Sequence, residues 1–66
     1  MFVTVNGEAT ETKDGGSLGE LLVQLQIQRD RVAVEVNLDI IPKAGYDIHV
    51  LAEGDRIEIV QFVGGG

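Results

Sequence analysis

Three consecutive glycines at the end of the sequence are the residues that point most clearly to chemistry. Gly64, Gly65 and Gly66 follow directly on an apolar run that ends at Val63. Glycine has no Cβ and therefore passes through spaces in which any side chain would clash. Three extended residues reach roughly 10 Å, so the segment can thread a narrow channel and present the Gly66 carboxylate inside another protein. The alternative is an inert, frayed chain end, which is common at termini.

The remaining residues offer little for catalysis or metal binding. The 66 residues include no cysteine and a single histidine, His49. One histidine cannot form a metal cluster alone, and the lack of cysteine excludes a thiol nucleophile and a disulfide. No glycine-rich loop precedes a Lys-Ser or Lys-Thr pair, so a phosphate-binding loop is not predicted. We therefore expect no catalytic residue, no metal and no cofactor bound by this chain, and we interpret His49 as an ordinary loop residue.

The balance of charge narrows the class of partner. The net charge is -6, with 11 acidic and 5 basic residues. Nucleic-acid binding needs clustered Lys and Arg and is not expected. An acidic surface favours either solubility alone or steering toward a basic partner. No run approaches the ~20 apolar residues of a membrane span, and the N-terminus lacks a targeting pattern, so we expect a cytoplasmic protein.

The first half of the sequence predicts a hairpin followed by one helix. Residues 1–5 alternate as a strand, Asn6-Gly7 is typical of a type I′ turn, and residues 8–12 form the polar return strand. Ser17 and Glu20 have the spacing of a capping box, in which each side chain satisfies the other residue's backbone N–H. One apolar stripe then follows at helical spacing, made of Leu18, Leu21, Leu22 and Leu25.

The second half predicts further strands, and the last of these is ambiguous. Residues 32–36 alternate as a half-buried strand, and residues 40–41 form a short edge strand that Pro42 stops. In residues 56–63 both parities carry apolar side chains. The strand is either buried on both faces, or bulged, or it exposes Val60 or Phe62 beside the glycine tail as an anchor for a partner.

Together these elements predict an α+β fold. We expect a mixed sheet of four to five strands with one main helix packed on one face. Residues 1–63 form the domain, and residues 64–66 form a flexible C-terminal tail. If the first and last strands are adjacent and parallel at the centre, the tail leaves from the middle of the sheet.

Several segments resemble one family over the whole length of the chain. They are Val32–Asn37, Ile41–Lys43, Leu51 with Glu53–Val60, and above all Val63–Gly66. This pattern resembles the bacterial thiamine-biosynthesis sulfur carriers of the ThiS family, which have the ubiquitin-like β-grasp fold. Two positions depart from the family: Tyr46 stands where a tryptophan is frequent, and Phe62 is not an expected residue.

The resemblance implies a carrier and not an enzyme. In the family, a ubiquitin-activating-like adenylyltransferase of the ThiF type uses ATP to adenylate the terminal carboxylate, which here is that of Gly66. Sulfur from a cysteine-derived persulfide donor then replaces AMP and leaves a thiocarboxylate. A thiazole synthase of the ThiG type takes this sulfur into the thiazole ring. Gly64 and Gly65 would thread into the partner, and Val60, Phe62 and Val63 would dock against it.

Two other functions remain open at this point. The small subunit of molybdopterin synthase also ends in Gly-Gly, so sulfur delivery to molybdopterin or another pathway is one alternative. The other is a β-grasp interaction module whose tail is inert.

Overall fold

The sheet places the last strand of the chain at its centre. The computed structural model describes residues 1–62. Its main elements are β1 (Phe2–Val5), β2 (Glu8–Glu11), α1 (Leu18–Gln24), β3 (Val32–Val36), β4 (Asp39–Ile41) and β5 (Arg56–Gln61). The strand order is β2-β1-β5-β3-β4, with β5 parallel to β1 and antiparallel to β3. The predicted α+β fold is confirmed, and the structure shows that the first and last strands are adjacent and parallel.

The β1–β2 hairpin forms where the sequence predicts it. Asn6 and Gly7 have φ angles of 49° and 86°, as a type I′ turn requires at both central positions. Val5 pairs with Glu8 across this turn. The turn type sets the register, and this register directs Val3 into the core, where its side chain is buried.

Helix α1 covers one face of the sheet. Both hydrogen bonds of the Ser17–Glu20 capping box are present, with N···O distances of 3.0 and 3.1 Å. The predicted stripe lies against the sheet, although Leu25 at the helix end is only half-buried. Burial of each large aliphatic side chain stabilises the fold by about 1.5–3 kcal/mol. The buried core consists of Val3, Leu18, Leu21, Leu22, Val32, Val34, Val36, Tyr46, Leu51 and Ile57.

The connection between β4 and β5 packs over the start of α1. The Tyr46 carbonyl accepts the Gly19 N–H at 2.8 Å, and the Tyr46 side chain is buried completely. Burial raises the pKa of the Tyr46 phenol. The close approach explains Gly19, because a Cβ at this position would collide with the carboxylate of Asp47.

Strand β5 is regular, which decides between the three interpretations of its sequence. Its pairing with β3 is continuous from Ile57 to Gln61, without a bulge. Ile57 is buried, whereas Val60 is 62% exposed. Burial on both faces is therefore wrong, and the apolar side chains of the second parity lie on the surface. The strand ends at Gln61, and the expected docking residue Val63 lies outside the described residues.

Candidate functional site

The predicted site begins where β5 ends. The chemistry assigned to Gly66 and the threading assigned to Gly64 and Gly65 concern residues outside the described part of the chain, as does the prediction of a flexible tail at residues 64–66. The last described residue is Phe62, whose N–H donates to the Arg31 carbonyl at 2.8 Å. The tail therefore follows the central strand of the sheet.

A side chain holds β5 where β1 has already ended. The Asn6 Oδ1 atom accepts the Ile59 N–H at 2.7 Å, and the Asn6 Nδ2 atom donates to the Ile59 carbonyl at 3.1 Å. The Asn6 backbone cannot make these bonds itself, because it turns away at positive φ. Its amide thus replaces one further residue of a parallel strand. Sequence analysis identified Asn6 only as a turn residue, since its contact with Ile59 joins positions far apart in the chain.

The face of the sheet opposite α1 carries exposed apolar side chains. Val60 is 62% exposed and Phe62 is 58% exposed. Phe2 on β1 is 51% exposed, and Ile40 on β4 is 75% exposed. The alternation of side chains along these two strands places both residues on the same face of the sheet as Val60. We call this surface the open face. It contains the two predicted docking residues that the structure describes, but the contacts that they make with a partner remain a prediction.

Two glutamates add negative charge to the open face. Glu35 on β3 is paired directly with Glu58 on β5. Like charges directly opposite each other on neighbouring strands destabilise a sheet, so the pair has no evident structural benefit. Val60 lies two residues along β5 from Glu58. The open face therefore suits a partner surface that combines apolar and basic side chains.

A groove of about 450 Å³ lies on the other face, beside the end of β5. Its apolar lining includes Val5, Ile27 and Ile59, and its polar lining includes Arg31 and Gln61. Sequence analysis did not identify this groove, because the residues come from three separate segments that only the fold brings together.

Nothing in residues 1–62 forms a metal centre: no three His, Asp or Glu side chains of this range cluster closely enough. His49 lies in the loop before β5 and is half-buried, which agrees with its interpretation as a loop residue. Within the same range, no helix has the length and apolar character to cross a membrane.

Comparison with known proteins gives consistent matches. The model of the ThiS family matches residues 3–66. The sulfur carrier protein ThiS of Bacillus subtilis is 46% identical over 66 residues, covering 98% of this chain and 100% of the relative. The crystal structure of the thiamine biosynthesis protein ThiS from Geobacter metallireducens superposes with a TM-score of 0.85 at 32% identity, with 100% of both chains covered.

A second kind of relative is much longer than this chain. The thiazole synthase of Paramagnetospirillum magneticum is 39% identical over 66 residues, which cover 100% of this chain but 20% of the synthase. The chain thus spans about a fifth of that relative's length.

Proposed function

Because the chain belongs to the ThiS family, we propose that it is a sulfur carrier for thiazole formation in thiamine biosynthesis, and that it is not itself an enzyme. The observation that carries the proposal is the extent of the family match, which runs to residue 66 and so includes the three glycines. Relatives named as sulfur carriers, such as that of Bacillus subtilis, support the carrier role.

The proposed chemistry takes place at the Gly66 carboxylate. An α-carboxyl group has a pKa of roughly 3.5 and is ionised at neutral pH. Its oxygen attacks the α-phosphate of ATP, which forms an acyl-adenylate and releases pyrophosphate. The terminal sulfur of a persulfide then attacks the carbonyl carbon and AMP leaves. A thiol cleaves the S–S bond of the resulting acyl disulfide, so that a thiocarboxylate remains on Gly66 and a disulfide is released.

We assign every catalytic group of these adenylation and sulfur-transfer steps to partner proteins. An adenylyltransferase of the ThiF type would bind ATP, and a persulfide donor would supply the sulfur, since this chain contains no cysteine. A thiazole synthase of the ThiG type would accept the sulfur, which the match to the synthase of Paramagnetospirillum magneticum supports. We place the exchange in the cytoplasm, with neither nucleic acid nor membrane as a partner.

The domain of residues 1–62 would position the tail and would be the surface that the partner proteins recognise. The tail begins two residues after Phe62, whose backbone is bonded to Arg31. Val60 and Phe62 would dock on the partner while Gly64 and Gly65 pass through its channel. The exposed apolar side chains of the open face fit this role, because they lie at the root of the tail.

A reconstituted synthesis of the thiazole tests the function. The wild-type chain should support product formation with the adenylyltransferase, the persulfide donor and the synthase, and a variant lacking Gly65 and Gly66 should support none. Equal product from the two chains would favour the interaction module with an inert tail. Product in a molybdopterin assay alone would instead favour the other carrier pathway.

The threading of the tail has its own test. Replacement of Gly65 by Ile adds a branched side chain that a narrow channel cannot accommodate. We expect adenylation, measured as ATP–pyrophosphate exchange, to fall at least tenfold while the melting temperature stays unchanged. Wild-type exchange kinetics in this variant would disprove a narrow channel.

A further inference from the structure

The backbone of β5 bonds to β3 at every second residue. The Arg56 carbonyl accepts the Asn37 N–H at 2.8 Å, and the Phe62 N–H donates to the Arg31 carbonyl at 2.8 Å. The register between these two points is unbroken. In an antiparallel ladder, alternate residues direct their N–H and C=O groups to the same neighbour. The alternate residues, at odd positions from 55 to 61, therefore direct these groups toward β1.

The β1 side of β5 is occupied only as far as Ile59. The Asp55 and Ile57 carbonyls accept N–H groups from Thr4 and Asn6, at 2.9 and 2.8 Å. Ile59 is bonded to the Asn6 side chain. Gln61 is the next residue of this series, and among residues 1–62 no group is bonded to its N–H or its carbonyl on that side. Within the described residues, one edge position is thus open near the end of β5.

The groove lies beside this open position. Gln61 is one of its lining residues, and Val5 and Asn6 close it at the end of β1. A strand placed alongside Gln61 would direct alternate side chains to opposite faces of the sheet. One side chain would enter the groove, and its neighbours would lie toward Val60 and Phe62 on the open face.

We propose that Gln61 and this groove bind an extended segment of the thiazole synthase, which adds a short strand to the sheet beside the tail. The inference rests on the proposed function and deepens it, since it states how the synthase is recognised. Addition of a strand to an exposed sheet edge takes its affinity from backbone hydrogen bonds and its specificity from side-chain pockets.

The lining of the groove indicates which side chain it accepts. Ile27 and Ile59 offer apolar contacts to an aliphatic stem, and Arg31 offers a positive charge. No ion pair involving Arg31 forms within residues 1–62. A glutamate of the synthase segment satisfies both features, because its methylenes pack on the isoleucines and its carboxylate reaches the guanidinium.

The position of the groove favours the synthase segment over other occupants. The open position at Gln61 lies three residues before the tail begins at Gly64, so we expect a segment bound there to belong to the protein that holds the tail. A carrier-like region of 66 residues occurs within a thiazole synthase at 39% identity, which favours the synthase over the adenylyltransferase. A second copy of this chain is disfavoured by the net charge of -6.

Hydrogen exchange of single amides tests the added strand without any mutation. In the free carrier the Gln61 amide should exchange rapidly, whereas the Phe62 amide, which is bonded to Arg31, should be protected. Saturating purified synthase should slow the exchange of Gln61 at least tenfold. An unprotected Gln61 amide in a complex that forms would overturn the inference and leave the carrier function intact.

A pair of variants separates the backbone from the side chain. Gln61→Pro removes the N–H that points to the groove, but it removes no bond to β3, because Gln61 is not one of the residues bonded to that strand. Gln61→Ala keeps the N–H and removes the side chain. We expect Gln61→Pro to bind the synthase about tenfold more weakly than Gln61→Ala, since one hydrogen bond is lost and its acceptor left unpaired. Equal affinities at equal melting temperatures would overturn the inference.

The charge of Arg31 is tested against a lysine at the opposite end of the sheet. Arg31→Gln should lower synthase affinity at low salt by roughly fivefold, whereas Lys13→Gln should leave it unchanged. Equal effects would contradict a glutamate at Arg31. If wild-type carrier does not bind the synthase at all, the proposed partner is wrong and the inference falls with it. Protection of Gln61 that depends on carrier concentration alone would identify a second copy as the occupant.

Discussion

Gly19 shows how a single residue permits the contact between α1 and the loop before β5. Its N–H donates to the Tyr46 carbonyl, at 2.8 Å. The carboxylate of Asp47 and the guanidinium of Arg29 lie where a Cβ would be, and they are paired with each other, at 2.9 Å. This ion pair lowers the pKa of the Asp47 carboxyl through its hydrogen bonds with Arg29. Glycine at this helical position is therefore explained by close approach.

The effect of alanine at position 19 should depend on Asp47. Alanine is normally about 1 kcal/mol more favourable than glycine inside a helix. In the wild-type background we expect Gly19→Ala to leave the free energy of unfolding nearly unchanged, because displacing the exposed Asp47 carboxylate from Arg29 offsets the gain in helix propensity. In an Asp47→Ala background the same change should raise it. Urea unfolding of the four proteins measures the coupling, and additive effects would refute the steric explanation.

The Glu20 carboxylate should make part of the folding stability depend on pH. Its pKa is held below the ordinary value of a glutamate by a hydrogen bond from Lys13 at 2.7 Å, and by the capping bond from the Ser17 N–H. A carboxyl group whose pKa is lower in the folded state stabilises the fold above its unfolded pKa, and this contribution is lost as the pH falls through the folded value.

The variant Glu20→Gln isolates this contribution, since glutamine also completes a capping box and does not titrate. At pH 7 the wild type should have the higher melting temperature. The difference should shrink as the pH falls below 4.5. A difference that stays constant down to pH 2 would show that Glu20 does not carry the expected proton linkage.

At the scale of elements, two hairpin asparagines hold β5 at its two ends. Asn6 and Asn37 both have positive φ, at 49° and 52°. The Asn37 Oδ1 atom accepts the Arg56 N–H at 3.0 Å, at the start of the strand. The Asn6 amide bonds to both backbone groups of Ile59, near its end. Each turn residue thus serves the strand that carries the tail as well as its own hairpin.

Replacement of either asparagine by glycine keeps the turn, because glycine adopts positive φ without strain. The same replacement removes the side-chain hydrogen bonds to β5. Asn6→Gly should cost about 1–2 kcal/mol, from two lost hydrogen bonds, and should accelerate amide exchange at Ile59. Asn37→Gly is the matched control and should accelerate exchange at Arg56 only. If Asn6→Gly leaves exchange at Ile59 unchanged, its amide does not hold the strand.

The sequence predicted those features that depend on neighbours along the chain. The Asn6-Gly7 turn, the Ser17–Glu20 capping box and the leucine stripe of α1 are all local patterns, and each lies where it was expected. Three other features join segments that are distant in the chain, so no local pattern reveals them. They are the hydrogen bonds of the Asn6 side chain to Ile59, the close approach of Asp47 to Gly19, and the groove beside Gln61. The exposure of Val60 and Phe62 was one of three interpretations. Apolar residues occupy both the odd and the even positions of this strand, so the sequence does not indicate which set faces the core.

At the scale of the whole molecule, charge and apolar surface coincide on the open face. Glu35 and Glu58 oppose each other on adjacent strands, and Val60 and Phe62 are exposed on the same side. This pair of glutamates lowers the stability of the sheet, but its negative charge suits association with a basic surface. Electrostatic complementarity of this kind mainly raises the rate at which two proteins associate.

Replacement of Glu58 by Gln should therefore stabilise the domain and impair its encounters. We expect the free energy of unfolding to rise by about 0.2–1 kcal/mol, since a like-charge pair is removed. The association rate constant with the partners should fall severalfold at low salt and little at high salt. Glu8→Gln, on the edge strand β2, makes the same change of charge and should leave association unchanged. Equal rates for the two variants would show that the open face does not guide encounter.

The central claim is that Gly66 carries sulfur, and the intact mass of the chain tests it most directly. The purified protein is incubated with ATP, a persulfide donor and the adenylyltransferase, then measured whole and by fragmentation. We predict a mass gain equal to the replacement of one oxygen by one sulfur, located at Gly66. An unchanged mass, with an enzyme shown to be active on another ThiS protein, would contradict the carrier role.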